Sequence, residues 1–142
     1  MDFHISLKDI NTLAPTEIDE IYNRLSVPGR NMRDEISKRY IERWPGEHEA
    51  MTMALIHQNG LFVAWVGSRP FKEKFKGKML DVQTVECFTD PELRRRGIAQ
   101  LGLQALISAG VINRDKPVSV YEKSVVKMAE RCGCKFVVLC IS

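Results

Sequence analysis

This 142-residue chain is short of several things, and each shortage narrows its function. No apolar run approaches the ~18 residues of a membrane-spanning helix, so no membrane role is expected. The opening MDFHISLKDI has neither a basic n-region nor a long apolar stretch, so no secretory signal is expected either. Only three histidines and four cysteines (Cys87, Cys132, Cys134 and Cys140) are present. The CGC run with scattered histidines is too sparse a ligand set for a metal site, and no metal is expected. The cysteines read as small buried hydrophobes of a reducing compartment, which points to the cytoplasm. A net charge of +3 is too small to argue for a nucleic-acid partner. Repeats, low-complexity tracts and long linkers are missing, and the length suits one domain spanning residues 1–142.

What is there is a mixture of helical and strand patterns. A short strand is expected near Phe3–Leu7. Thr16 offers a helix N-cap with Asp19 three residues on, and Ile18, Ile21, Tyr22 and Leu25 follow at helical spacing. Met32, Ile36 and Tyr40 stripe a second helix that begins near Asn31 and ends at Pro45-Gly46. From Ala50 two apolar runs flank Asn59-Gly60, a tight hairpin turn. Leu61 to Val66 is apolar on both faces and should be a central strand. Lys72, Lys74, Lys76 and Lys78 alternate through RPFKEKFKGK, which reads as a solvated hairpin tip rather than a nucleic-acid patch. In MLDVQTVECFT the apolar alternation slips by one residue between Val82 and Val85, as a β-bulge would cause. Ile98 to Ile112 is a mostly buried helix with a narrow polar stripe of Gln100, Gln104 and Ser108. VSVY is a strand. Val125, Met128, Ala129 and Cys132 stripe another helix closed by Gly133, and CKFVVLCIS is a last strand. The order implies an α/β fold: a mixed, mostly antiparallel sheet with flanking helices.

The densest positive charge sits where it is least expected. Arg94, Arg95 and Arg96 precede Gly97 at the first turn of an apolar helix. A helix N-terminus leaves backbone N–H groups without partners and carries partial positive charge, so acidic residues are favoured there. Three arginines run against that preference unless an anion offsets them. Gly97 lets main chain approach a ligand closely. The combination reads as a phosphate cradle at the end of a strand, against the simpler alternative of a solvated arginine surface.

RRRGIA, Arg94 to Ala99, resembles the R/Q-x-x-G-x-G/A signature of the GNAT superfamily of N-acetyltransferases, and TDPELRRRGIA resembles its strand-loop-helix as a whole. The likeness covers Met79 to Ile112 well and the rest from Ala50 more loosely. It implies a GNAT-like domain with a bulged, splayed strand pair, and acetyl-CoA as cosubstrate. By position, the amides around Arg95, Arg96, Gly97, Ile98 and Ala99 would hold the pyrophosphate, with the arginine side chains, Arg94 included, drawing phosphate charge. Main chain at Cys87, Phe88 and Thr89 would pair with the pantetheine arm, and one N–H there would polarise the thioester. A later family motif, N-x-x-A-x-x-L-Y-x-K-x-G-F, is matched loosely by Glu122 to Cys134. Glu122 stands for the asparagine and Ala129 for the tyrosine that often protonates the leaving thiolate. Tyr121 and Ser124 are the nearby substitutes.

Acetyl transfer by direct attack needs a neutral amine. A lysine-like amine is neutral in about one molecule in 2,500 at pH 7, a deficit of roughly 4.6 kcal/mol, which a base must offset. Glu86 is the first candidate. Asp81 and Glu122 follow, and His48 and His57 are of the right type. Cys87 is not expected to be a nucleophile. The acceptor is a protein or small-molecule amine, with SVPGRNMRDE and WPGEHE expected on its side of the site. The oligomeric state stays open, a homodimer included. Two other classes remain: a GNAT-fold protein that binds coenzyme without turnover, and a basic nucleic-acid module. The second would show steeply salt-dependent binding.

Overall fold

The computed structural model describes residues 2–27, 30–31, 51–89 and 96–140, and side chains over 2–21, 51–89 and 96–140. The expected helix from Asn31 to Tyr40, His48, WPGEHE, Arg94 and Arg95 lie outside the described residues, apart from Asn31 itself in a short strand. In chain order the elements are β1 (Phe3–Asp9), a 3-10 turn (Ile10–Thr12), α1 (Pro15–Leu25), β2 (Ser26–Val27), β3 (Arg30–Asn31), β4 (Thr52–Gln58), β5 (Leu61–Ser68), β6 (Pro70–Phe75), β7 (Lys78–Thr89), α2 (Ile98–Ser108), β8 (Val118–Val120), α3 (Lys123–Arg131) and β9 (Val137–Leu139). Seven strands form one sheet in the order β1-β4-β5-β7-β8-β9, with β6 also on β7, and β2–β3 is a separate pair. The β1, β4, β5, β6 and β7 pairings are antiparallel. β7–β8 and β8–β9 are parallel, each joined through a crossover helix.

α1 begins earlier than the Thr16 cap predicted. Pro15 takes the first helical position, where its missing N–H costs nothing. Glu17 then reaches back to accept the Ala14 N–H at 2.9 Å. Lys8 also lies 2.8 Å from the Glu17 carboxylate. These two contacts hold the Glu17 carboxyl below its usual range.

Asn59 (φ 51°) and Gly60 (φ 79°) make the predicted tight turn between β4 and β5. β5 is central and buried on both faces from Phe62 to Ser68. That double burial hides a feature from period-two reading. The β4–β5 register shifts between Ile56 and His57, so Val63 is an extra residue on β5. The shift turns Phe62 onto the same face as Trp65, and both pack with Met53, Leu55, Phe88 and Ile21 of α1. Glu20 of α1 accepts the Phe62 N–H at 2.9 Å beside the bulge.

The bulge predicted in β7 is absent. The β7 register against β5 and β6 is constant from Thr89 back to Lys78, two residues facing two between Gly67↔Glu86 and Pro70↔Gln83. The alternation slips because Thr84 is fully buried. Its hydroxyl accepts the Arg69 N–H at 3.1 Å, while its own N–H donates to the Arg69 carbonyl at 3.0 Å. A polar residue thus occupies an inward position without re-phasing the strand.

α2 and α3 cover the other face of the sheet, where Ala54, Val66, Val85, Val118 and Val120 meet Leu103, Leu106, Val125, Met128 and Ala129. Gly102 is what brings α2 down onto β4 and β5. A Cβ there would lie 2.7 Å from Val66 Cγ2 and 3.1 Å from Ile56 Cδ1. Overpacking a rigid core costs about 1–3 kcal/mol, against roughly 1 kcal/mol gained by alanine over glycine in a helix. Gly102→Ala is therefore expected to lower the melting temperature by a few degrees, read by thermal denaturation.

The last strand is shorter than predicted, and Cys134 and Cys140 fall just outside it. All four cysteines are free. Gly133 (φ 89°) closes α3 as expected.

Candidate functional site

The site grows from the ends of β7. Alternate residues of a strand face opposite ways. Cross-strand partners therefore put Thr84, Glu86 and Phe88 on the face of Gly67 and Trp65, and Val85 and Cys87 on the α2–α3 face. On its other edge β7 pairs with β8 over Gln83–Val85 alone, although β7 itself runs on to Thr89. The β7–β8 pair thus parts at Val85↔Val120, beside the predicted pantetheine segment Cys87–Thr89.

α2 starts next to that fork. Ile98 is buried against Ile56, Val63 and Ala64, and Ala64 is the β5 partner of Thr89. Gly97 is the N-cap, with φ 75° and ψ 12°, and as a glycine it gives the helix no side-chain cap of its own. The first turn holds no acidic residue. A Cβ built on Gly97 meets nothing within 4 Å. The glycine is thus needed for its left-handed backbone, and no atom of the described residues fills the space in front of it. Arg96 and Gly97 are exposed, while Ala99 is half-buried.

Glu86 sits on the opposite face of the strand from Cys87. Its side chain is 15% exposed, and Oε2 lies 3.8 Å from Arg69 Nε. The Thr84 hydroxyl approaches the same oxygen at 3.5 Å. Arg69 is itself buried, its guanidinium 4.7 Å above the Phe71 ring. Tyr121 follows β8 directly, and its phenol is raised by burial and then by the Glu86 and Glu73 carboxylates. Glu86, Glu73, Arg69 and Tyr121 therefore share one electrostatic neighbourhood. Cys140 belongs to it too: Sγ is 3.1 Å from Ser119 Oγ, and burial with Glu73 pushes the thiol up.

Of the other predicted residues, Ser124 and Glu122 are exposed at the start of α3. Ala129 is fully buried in the core between α3 and the sheet, a packing position. Asp81 is exposed on the outer half of β7, opposite Lys72. His57 lies on β4, 3.7 Å from Glu20 and edge-on to Phe62. Lys72 and Lys74 are exposed while Phe71, Glu73 and Phe75 between them are half-buried, and the hairpin turns at Lys76-Gly77. The residue that sequence reasoning missed is Arg69. The signal was there: it follows a strand apolar on both faces and precedes a proline, a place where a long cation has no obvious solvent role.

Among the described residues no three His, Cys, Asp or Glu gather as a metal site. A shallow concavity of about 530 Å³ lies at the far end of α2, lined by Asn113, Arg114, Asp115 and Lys135 among others. It is open and polar, away from the fork, and Asp115 bridges Lys135 at 2.7 Å on its rim.

Burial, with the Glu122 and Glu86 carboxylates, pushes the Cys87 thiol up to about 11 from the ordinary 9.0. The folded chain then holds this proton more tightly than the unfolded one. The contribution is complete below about pH 9 and is lost as pH rises towards 11, a loss of roughly 2.7 kcal/mol by linkage. Tyr121, Cys132, Cys134 and Cys140 are shifted the same way. Stability from urea unfolding is expected to fall between pH 9 and 11, and Cys87→Ala is expected to flatten that slope.

No protein-family model matches the sequence, and no curated protein matches it. Solved structures do. The chain is similar to the aminoglycoside N-acetyltransferase AAC(6')-Iy in complex with CoA, with TM-score 0.61, 14% identity, and coverage of 100% of this chain and 95% of that one. It is similar to a predicted acetyltransferase with acetyl-CoA from Clostridium acetobutylicum, with TM-score 0.58, 11% identity, and coverage of 94% and 90%. A ribosomal-protein-alanine N-acetyltransferase from Brucella melitensis biovar Abortus 2308 superposes at TM-score 0.52, with 14% identity and coverage of 92% and 86%. Among the described residues no helix is long and apolar enough to cross a membrane.

Proposed function

We propose that this chain, whose fold is that of the GNAT superfamily, is an acetyl-CoA-dependent N-acetyltransferase acting on a primary amine. The observation that carries the reading is the fork where β7 leaves β8 at Val85, next to a helix start whose N-cap is a glycine in the left-handed region. Main chain at Cys87–Thr89, beyond the last β8 pairing, is the segment that would pair with the pantetheine arm as an added strand would. The amides of Ile98, Ala99 and Gln100 offer donors to the diphosphate, with Gly97 providing the turn. Arg94, Arg95 and Arg96 supply charge to the same corner. The structural neighbours crystallised with CoA or acetyl-CoA support the choice of coenzyme.

In the ternary complex Glu86 accepts the proton that makes the amine nucleophilic. The neutral amine adds to the thioester carbonyl, a main-chain N–H beside Cys87 stabilises the oxyanion, the C–S bond breaks as the leaving thiolate takes up a proton, and the nitrogen gives up its remaining extra proton to solvent, leaving the amide. Both substitutes are exposed, and Tyr121 is the better donor of the two, since its phenol feels the Glu86 carboxylate. Cys87 stays a protonated thiol at neutral pH, which suits direct transfer without an acyl-enzyme. The second reading, coenzyme binding without turnover, draws on Ala129, whose buried methyl stands where the family motif carries a phenol.

A thermal-shift titration with acetyl-CoA, followed by thiol-release assays over a panel of amines and proteins, tests both. Stabilisation together with acceptor-dependent thiol release supports the transferase. Stabilisation without release supports the second reading, and no stabilisation overturns both.

A further inference from the structure

We infer that Arg69 is a positioning residue for the proposed reaction, holding the Glu86 carboxylate in place across the face of the sheet; this rests on the transferase reading. Arg69 occupies the one residue between β5 and β6, and only 6% of it is exposed. A guanidinium in such a place is costly unless its charge is answered, and a residue needed only to fill volume would be Leu or Met. Its surroundings answer the charge in a directed way. Arg69 and Thr84 face each other on adjacent strands, and Glu86 is the next residue on that face of β7.

Two contacts then converge on one atom. Arg69 Nε lies 3.8 Å from Glu86 Oε2. The main-chain N–H of Arg69 donates to Thr84 Oγ1 at 3.1 Å. That hydroxyl, its acceptor side used, is left to donate its hydrogen towards the same Oε2 at 3.5 Å. Side chain and main chain of one residue therefore both act on Glu86, one directly and one through Thr84. The guanidinium carbon also lies 4.7 Å from the centre of the Phe71 ring, and the ammonium of lysine would not put a planar fork there. These contacts bias the carboxylate towards one rotation, and a carboxylate free to rotate would miss its near-attack geometry.

The test compares Arg69→Met, Arg69→Lys, Glu86→Gln and the double variant Arg69→Met/Glu86→Gln in the full chain. Activity is read as thiol release with whichever amine the parent accepts. Acetyl-CoA affinity is read by calorimetry, and folding by thermal melts. A 1 Å misplacement costs on the order of 100-fold, so kcat is expected to fall at least about tenfold in Arg69→Met, with acetyl-CoA affinity held within about twofold. Arg69→Lys should recover part of the loss. In the Glu86→Gln background Arg69→Met should cost nothing more, because the group it positions is already gone. A merely structural role would instead lower both backgrounds alike, and that additive result overturns the inference, as does an Arg69→Met kcat within about twofold of the parent. If Arg69→Met does not fold, Arg69→Lys decides: parental kcat overturns the inference, and a loss abolished in the Glu86→Gln background supports it. An inactive parent overturns the transferase reading itself, whereas an active parent with unaffected Arg69 variants overturns this inference alone.

Discussion

Gly97→Asn is expected to leave a folded chain that melts within a few degrees of the parent and binds coenzyme A at least about 100-fold more weakly. The choice of asparagine separates two reasons for a glycine. Asparagine tolerates the left-handed backbone that Gly97 adopts at φ 75°, so the helix start survives. Its Cβ and amide enter space that no described residue fills, the space that the proposed function gives to the diphosphate. Each charge-assisted hydrogen bond lost there is worth about 1.5–3 kcal/mol, and the loss of two gives at least 100-fold. Calorimetric titration with coenzyme A reads the effect directly. A variant that binds as tightly as the parent would place the diphosphate elsewhere.

Glu86→Gln is expected to lower kcat by about 100-fold or more, in the range of general-base contributions, with acetyl-CoA affinity unchanged. The substitution keeps shape and removes the ability to accept a proton. In the proposed function it acts on the acceptor side, since Glu86 faces away from Cys87 and the α2–α3 core. The deficit of roughly 4.6 kcal/mol for a protonated amine sets the scale of what the base must offset. Raising the pH should therefore narrow the gap between variant and parent, as more amine arrives neutral. A pH–rate series with one amine acceptor checks both points, and equal rates at every pH would remove Glu86 from the chemistry.

How far the sequence could be read depended on whether polar residues meant solvent. The β4–β5 hairpin was legible because Asn59-Gly60 names a backbone that few other pairs adopt, and both residues do take positive φ. The buried face of α2 was legible from its narrow stripe of Gln100, Gln104 and Ser108. The bulge at Val63 was silent, since Phe62, Val63 and Ala64 are all apolar and all buried, and a slip among identical signals leaves no mark. The false bulge in β7 has the converse cause: a buried threonine with a main-chain donor looks the same in sequence as a solvated one. Of the candidate site, the fork and the helix start followed from the motif resemblance. The gathering of Arg69, Glu73, Glu86 and Tyr121 depends on how three separate strands bring their residues to one face, which no local pattern encodes.

The unbroken register of β7 has one further consequence. Between Thr84 and Phe88 successive residues serve opposite masters: Glu86 is turned towards the face of Gly67 and Trp65, while Val85 and Cys87 are committed to the helices behind. Inserting or deleting one residue in this stretch would invert that parity, sending the carboxylate into the hydrophobic layer and a thiol into its place. The stretch should therefore tolerate changes of identity far better than changes of length.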